Sequence, residues 1–173
     1  MSQGEQNLAG GKGPCLGCAS WALWISLFQV IYTVSLGFFT MYIRYKNVDA
    51  KILKEKFGEE HKKFNITPAK LAYPDQGNGY YSRALPYQNW FKWNSAMRAH
   101  QHAVEYLPIA LIATLANWFF CPTAGAWVAA LTLAIRFFHT FTYFNNINKA
   151  EFANTTVQLV SGASILWAIA QSF

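Results

Sequence analysis

From Cys18 to Ile43 the chain carries no charged residue. About 20 apolar residues suffice to cross the hydrocarbon core of a bilayer, so this run predicts a membrane-spanning helix. The pattern recurs: no charge occurs between Glu105 and Arg136, and none from Phe152 to Phe173. Cys121-Pro122-Thr123-Ala124-Gly125 interrupts the second run with a turn signal, which divides it into two antiparallel spans. The expectation is an all-α fold, a multi-pass membrane four-helix bundle. Its spans cover residues 18–43, a helix capped by Asn94 or Ser95 and ending near Phe120, then residues 126–144 and 152–173. Four crossings put both termini on one side of the membrane.

Composition supports this reading. Of 173 residues, 53% are hydrophobic and 13% charged, against about 25% charged in soluble domains. Aromatic residues make up 17%, as interfacial belts require. The net charge of +6 does not point to nucleic acid, because eleven of the basic residues fall between Arg44 and Arg98, with five acidic ones. That is the pattern of one large loop, at about 45–93, held on the cytoplasmic or matrix side.

Residues 1–18 read as a polar tail and 19–173 as the membrane domain. Three cysteines make no disulfide framework, and the Cys15-Leu16-Gly17-Cys18 pair stands without a second. Within the loop, Ile52, Leu53 and Phe57 mark a weak amphipathic helix, either lying on the membrane surface or solvated. Tyr80, Tyr81, Tyr87, Trp90, Phe91 and Trp93 are expected at the membrane interface.

Two spans carry polar faces. Arg98, His102 and Glu105 stand at i, i+4 and i+7, within an arc of roughly 60° on a helix. Arg136, Thr140 and Tyr143 repeat the spacing, with His139 beside them. Ionisable groups inside a membrane are expensive, and the default reading of them is functional. An arginine cannot shed its charge, and Glu105 neutralises only one of the two. A bound carboxylate ligand would supply the remaining negative charge. The His100/His102 spacing with His139 and Glu105 is weak as a zinc signature, and no metal is expected.

Arg98-Ala99-His100 with Glu105 and Pro108, and Arg136-Phe137-Phe138-His139-Thr140 through Tyr143, resemble the signatures of helices II and III in the MAPEG family, the membrane-associated proteins of eicosanoid and glutathione metabolism. The resemblance covers about residues 19–173. It implies a homotrimer of four-helix subunits that binds glutathione between neighbours, near the cytoplasmic face. Arg98, His102, Glu105, Arg136, His139 and Tyr143 would then contact glutathione, and Arg44 would reach across a subunit boundary. The implied activity is transfer or peroxidase chemistry on lipophilic electrophiles; the alternative is a non-catalytic subunit or lipid-binding scaffold in a larger membrane assembly. The endoplasmic reticulum is the expected membrane, with a mitochondrial one as the alternative.

The chain departs from the family pattern at three places. Asn94-Ser95 replaces the usual Glu-Arg, His102 replaces an asparagine, and Phe152 stands where many active members have an arginine that stabilises the thiolate. Lowering a thiol's pKa requires a nearby positive charge. Arg44 and Lys149 are therefore the expected catalytic cations, with His102 as another source.

Overall fold

The computed structural model describes residues 16–65, 72, 75–145 and 147–170, with side chains left undescribed at 16–19, 147–151 and 153. Among these the chain is all-helical: α1 (Leu16–Asn47), α2 (Ala50–Lys63), α3 (Tyr87–Phe120), α4 (Pro122–Asn145) and α5 (Ile147–Ala170), plus a 3₁₀ turn at Ser82–Ala84. Among the described residues three stretches, Ser20–Asn47, Tyr87–Phe120 and Pro122–Asn145, are long and apolar enough to cross a membrane. The protein is an integral membrane protein. The fourth expected span is helical but begins earlier, at Ile147 rather than Phe152.

The long helices pack through small side chains. Ala96, Ala99, Ala103, Ala110 and Ala113 on α3, Ala129 on α4, and Ser161 and Ala168 on α5 are all buried. Close backbone approach replaces the hydrophobic effect as the source of adhesion between helices in lipid. Large apolar groups such as Phe38, Phe119, Trp127 and Leu159 point outward, where acyl chains solvate them. α3 packs against α1, α4 and α5, and α4 also contacts α1 and α5. Hydroxyls inside the spans bond back to their own helix, as Thr33 does to Gln29 O at 2.9 Å and Thr114 to Ala110 O at 2.8 Å.

Two expectations about helix ends are corrected. α3 begins at Tyr87, after Pro86, and neither Asn94 nor Ser95 caps it. Proline at the N-terminal edge stops the helix growing backward, and Asn94 Nδ2 instead donates to Gly77 O at 2.7 Å, tying the loop to α3. α4 starts at Pro122, four residues before the expected position, so only Cys121 separates it from α3. Gly125 permits this tight turn: a Cβ there would meet the Trp118 backbone nitrogen at 2.8 Å.

The loop has its own core. Asp49 caps α2 by accepting from Lys51 N at 2.8 Å. Leu53 and Phe57 of α2 pack with Val48, Ala72, Leu85 and Trp93. The apolar stripe of α2 is thus covered by the chain itself, rather than by lipid or water. Trp93, expected at the interface, is fully buried in this cluster. Asp75 organises the rest: its carboxylate accepts from the backbone N–H of Gly77, Gly79 and Ser82 at 2.8, 2.9 and 2.7 Å.

Candidate functional site

The two polar faces meet where α3 packs on α4. His102 of α3 leans into the contact, with ring centroids 5.6 Å from His139 and 6.0 Å from Tyr143, both on α4. His139 and Tyr143 lie 5.3 Å apart. One turn on from His102, Glu105 Oε2 approaches His102 Nδ1 at 3.5 Å, within ion-pair range, and Oε1 accepts from Gln101 Nε2 at 2.9 Å. Arg98 and Glu105 are both exposed on the protomer surface, whereas Arg136 is only 6% and His139 only 1% exposed.

The burial of Arg136 has a physical cause. The guanidinium stacks over Tyr106, 4.5 Å from its centroid, a favourable placement for a cation on an aromatic face. Tyr106 is itself held by Gln158 of α5, whose amide donates to the hydroxyl. Neither terminal nitrogen of Arg136 has a hydrogen-bond partner among the described residues, and the same is true of Gln29 Oε1 and His139 Nε2. A cavity of about 10 Å³ between Arg136, Gln29, Tyr32, Thr33, Ala103 and Leu107 adjoins Arg136 and Gln29. That is close to the room one water molecule needs.

Sequence reasoning missed the supports of this site. Gln29 Nε2 donates to Ala129 O and to Thr132 Oγ1, both at 2.8 Å, and Tyr32 Oη donates to Thr140 Oγ1 at 2.6 Å. These bonds fasten α1 to α4 on either side of Arg136. The available signal was Gln29 itself, a strong hydrogen-bonding group in the middle of an uncharged run. Thr140 shares the spacing of the second polar face but turns to α1.

Arg44 sits elsewhere in the protomer. Its guanidinium lies over Trp93, 5.1 Å from the centroid, and it lines a cavity of about 540 Å³ with Val34, Phe38, Met97, Gln76 and His100. His100, two residues from His102, turns to α1, where a Cβ on Gly37 would come 3.2 Å from its Nε2. Arg44 is therefore not brought together with His102 and Arg136 within one chain. The side chain of Lys149 lies outside the described residues. Among the described residues, no three His, Cys, Asp or Glu side chains converge as a metal site would require.

An all-helical integral membrane protein with a cationic, histidine-bearing seam between two of its spans is the class that fold and site define. The model of the MAPEG family matches residues 21–171, and the chain belongs to that family, whose members generally use glutathione. No curated protein and no solved structure matches the sequence.

Proposed function

We propose that the protein is a glutathione-dependent membrane transferase or peroxidase acting on lipophilic electrophiles. The observation that carries this reading is the charge arrangement at the seam. Arg136 is buried with both terminal nitrogens unpartnered among the described residues, while Arg98 and Glu105 stand exposed on a spanning helix. Charged groups of both signs along a seam between helices in lipid call for a zwitterionic partner.

Glutathione, with two carboxylates and one ammonium group, matches that set. Arg98 would hold one carboxylate directly and Arg136, whose terminal nitrogens are buried beside a cavity of about 10 Å³, the other through a bridging water; Glu105 would hold the ammonium, and His102, His139 and Tyr143 the peptide core. When bound it supplies the thiol nucleophile. Exposure of Arg98 and Glu105 on the protomer suits a site completed by a neighbour in a homotrimer of four-helix subunits. In that assembly Arg44, distant from the seam in its own chain, would serve the neighbour's site. Arg44 or Lys149 would stabilise the thiolate, and acyl-facing surface would admit the electrophile. The endoplasmic reticulum membrane is the proposed location, and a mitochondrial membrane the alternative.

The test is a glutathione titration of the purified protein in detergent, followed by peroxidase and transferase assays. Turnover no higher than that of the Arg98→Ala, Arg136→Ala double variant would remove the enzymatic reading. A second reading, a non-catalytic subunit or lipid-binding scaffold within a larger membrane assembly, is favoured by Phe152. This residue is 72% exposed and apolar, at the position where the resemblance calls for an arginine. Co-purification with other membrane proteins and no calorimetric response to glutathione would support it.

A further inference from the structure

The geometry points to His102, oriented by Glu105, as the base that takes the thiol proton of bound glutathione. This rests on the functional reading above and deepens it by naming the proton acceptor.

Three observations converge. His102 Nδ1, a buried nitrogen with no hydrogen-bond partner among the described residues, lies 3.5 Å from Glu105 Oε2, within ion-pair range. A carboxylate beside one imidazole nitrogen favours the tautomer with the proton on Nδ1 and the lone pair on Nε2. Nε2 is not among the buried unpartnered atoms and is left as the open nitrogen of a half-buried ring. The ring itself is clamped: it lies edge-on to His139, near-parallel to Tyr106 and tilted to Tyr143. A base with aromatic rings on three sides and a carboxylate beside one nitrogen is placed for transfer at the other.

The titratable and charged groups that face the ring among the described residues are Arg98, Glu105 and Tyr106 on α3 and Arg136, His139 and Tyr143 on α4. On α5, Gln158 carries no charge and binds Tyr106. Glu105 opposes the two arginines electrostatically at His102.

The step balances without a further reactant. The S–H bond breaks, its electron pair stays on sulfur, and an N–H bond forms at Nε2. The resulting imidazolium sits between Glu105 and the new thiolate, and so supplies the positive charge that Phe152 cannot. When the thiolate attacks an electrophile, His102 returns the proton to the departing or newly formed anion and is neutral again.

The experiment uses the full-length protein in detergent or lipid nanodiscs, as wild type, His102→Asn and His102→Gln. Asparagine replaces the Nδ1 end of the ring and glutamine the Nε2 end; both are amides that hydrogen-bond but do not take up a proton. Glutathione affinity is measured by calorimetry and thiolate content by ultraviolet difference absorbance across pH. Wild type is expected to show substantial thiolate at neutral pH. Compared at glutathione concentrations that calorimetry shows to saturate each protein, the thiolate of each variant is expected to fall at least about tenfold below wild type, toward the few per cent of a free thiol at pH 7. Equal thiolate in a variant that binds glutathione overturns the proposal and leaves the functional reading intact. No binding by wild type removes both. Should the His102→Asn variant fail to fold on melting analysis, the glutamine variant carries the same comparison.

Discussion

Arg136 stacks on Tyr106 at 4.5 Å with neither terminal nitrogen hydrogen-bonded among the described residues. A buried, unpaired charge weakens the fold that holds it. Arg136→Met is therefore expected to leave the thermal midpoint in detergent unchanged or higher. Glutathione affinity is expected to fall at least about tenfold, or roughly 1.4 kcal/mol. Arg136→Lys is not expected to restore binding, since an ammonium lacks the planar fork and the flat face that lies on Tyr106. A midpoint that drops sharply in the methionine variant would instead make Arg136 a structural residue.

Asp75 holds three backbone N–H groups with one carboxylate. Asp75→Ala strands these donors, and hydrogen bonds to charged groups contribute about 1.5–3 kcal/mol each. The expected result is local opening of residues 75–85, with cleavage there by an added protease rising at least about tenfold. Cleavage elsewhere should stay at the wild-type rate, because the long helices do not depend on this loop.

Two glycine substitutions are expected to act in opposite directions. Gly125→Ala places a methyl within 2.6 Å of Trp118 Cβ and against its backbone, so the α3–α4 turn must open, at a cost of about 1–3 kcal/mol. Gly162 has nothing within 4 Å of an added Cβ and lies inside α5. Gly162→Ala should stabilise by about 0.5–1 kcal/mol. Thermal melts of the two variants beside wild type decide both.

Gln29 joins α1 to α4 through Thr132 Oγ1 and Ala129 O. A double-variant cycle of Gln29→Leu and Thr132→Val is expected to give a coupling of about 0.6 kcal/mol, typical of hydrogen bonds between spanning helices. A coupling near zero would mean that the helices are held by packing alone.

Spans, loop and both polar faces were legible because charge is forbidden over long stretches in lipid and because helical periodicity is fixed at 3.6 residues per turn. The spacing of Arg98, His102 and Glu105 located the α3 face, and it also required His100 to point elsewhere. Helix ends were less legible. Asn94 looked like a cap, yet its amide serves Gly77 across the loop, a contact between residues distant in sequence. Trp93 looked interfacial because aromatic residues near a span usually are, but α2 folds over it. Tyr106, Gln29 and Tyr32 gave no periodic signal, since each matters through a partner on another helix.

By itself the sequence determined that this chain enters a membrane as long helices and which residues it carries there at charged or ionisable positions. Hydropathy and helical pitch are local properties, readable from neighbours along the chain. Only the tertiary structure decided that His102 meets His139 and Tyr143, that Arg136 is buried on Tyr106 while Arg98 stays exposed, and that Arg44 lies on another side of α3. Those outcomes depend on how helices rotate about their own axes as they pack, a choice set by small side chains such as Ala99, Ala103 and Ala129 at the contacts.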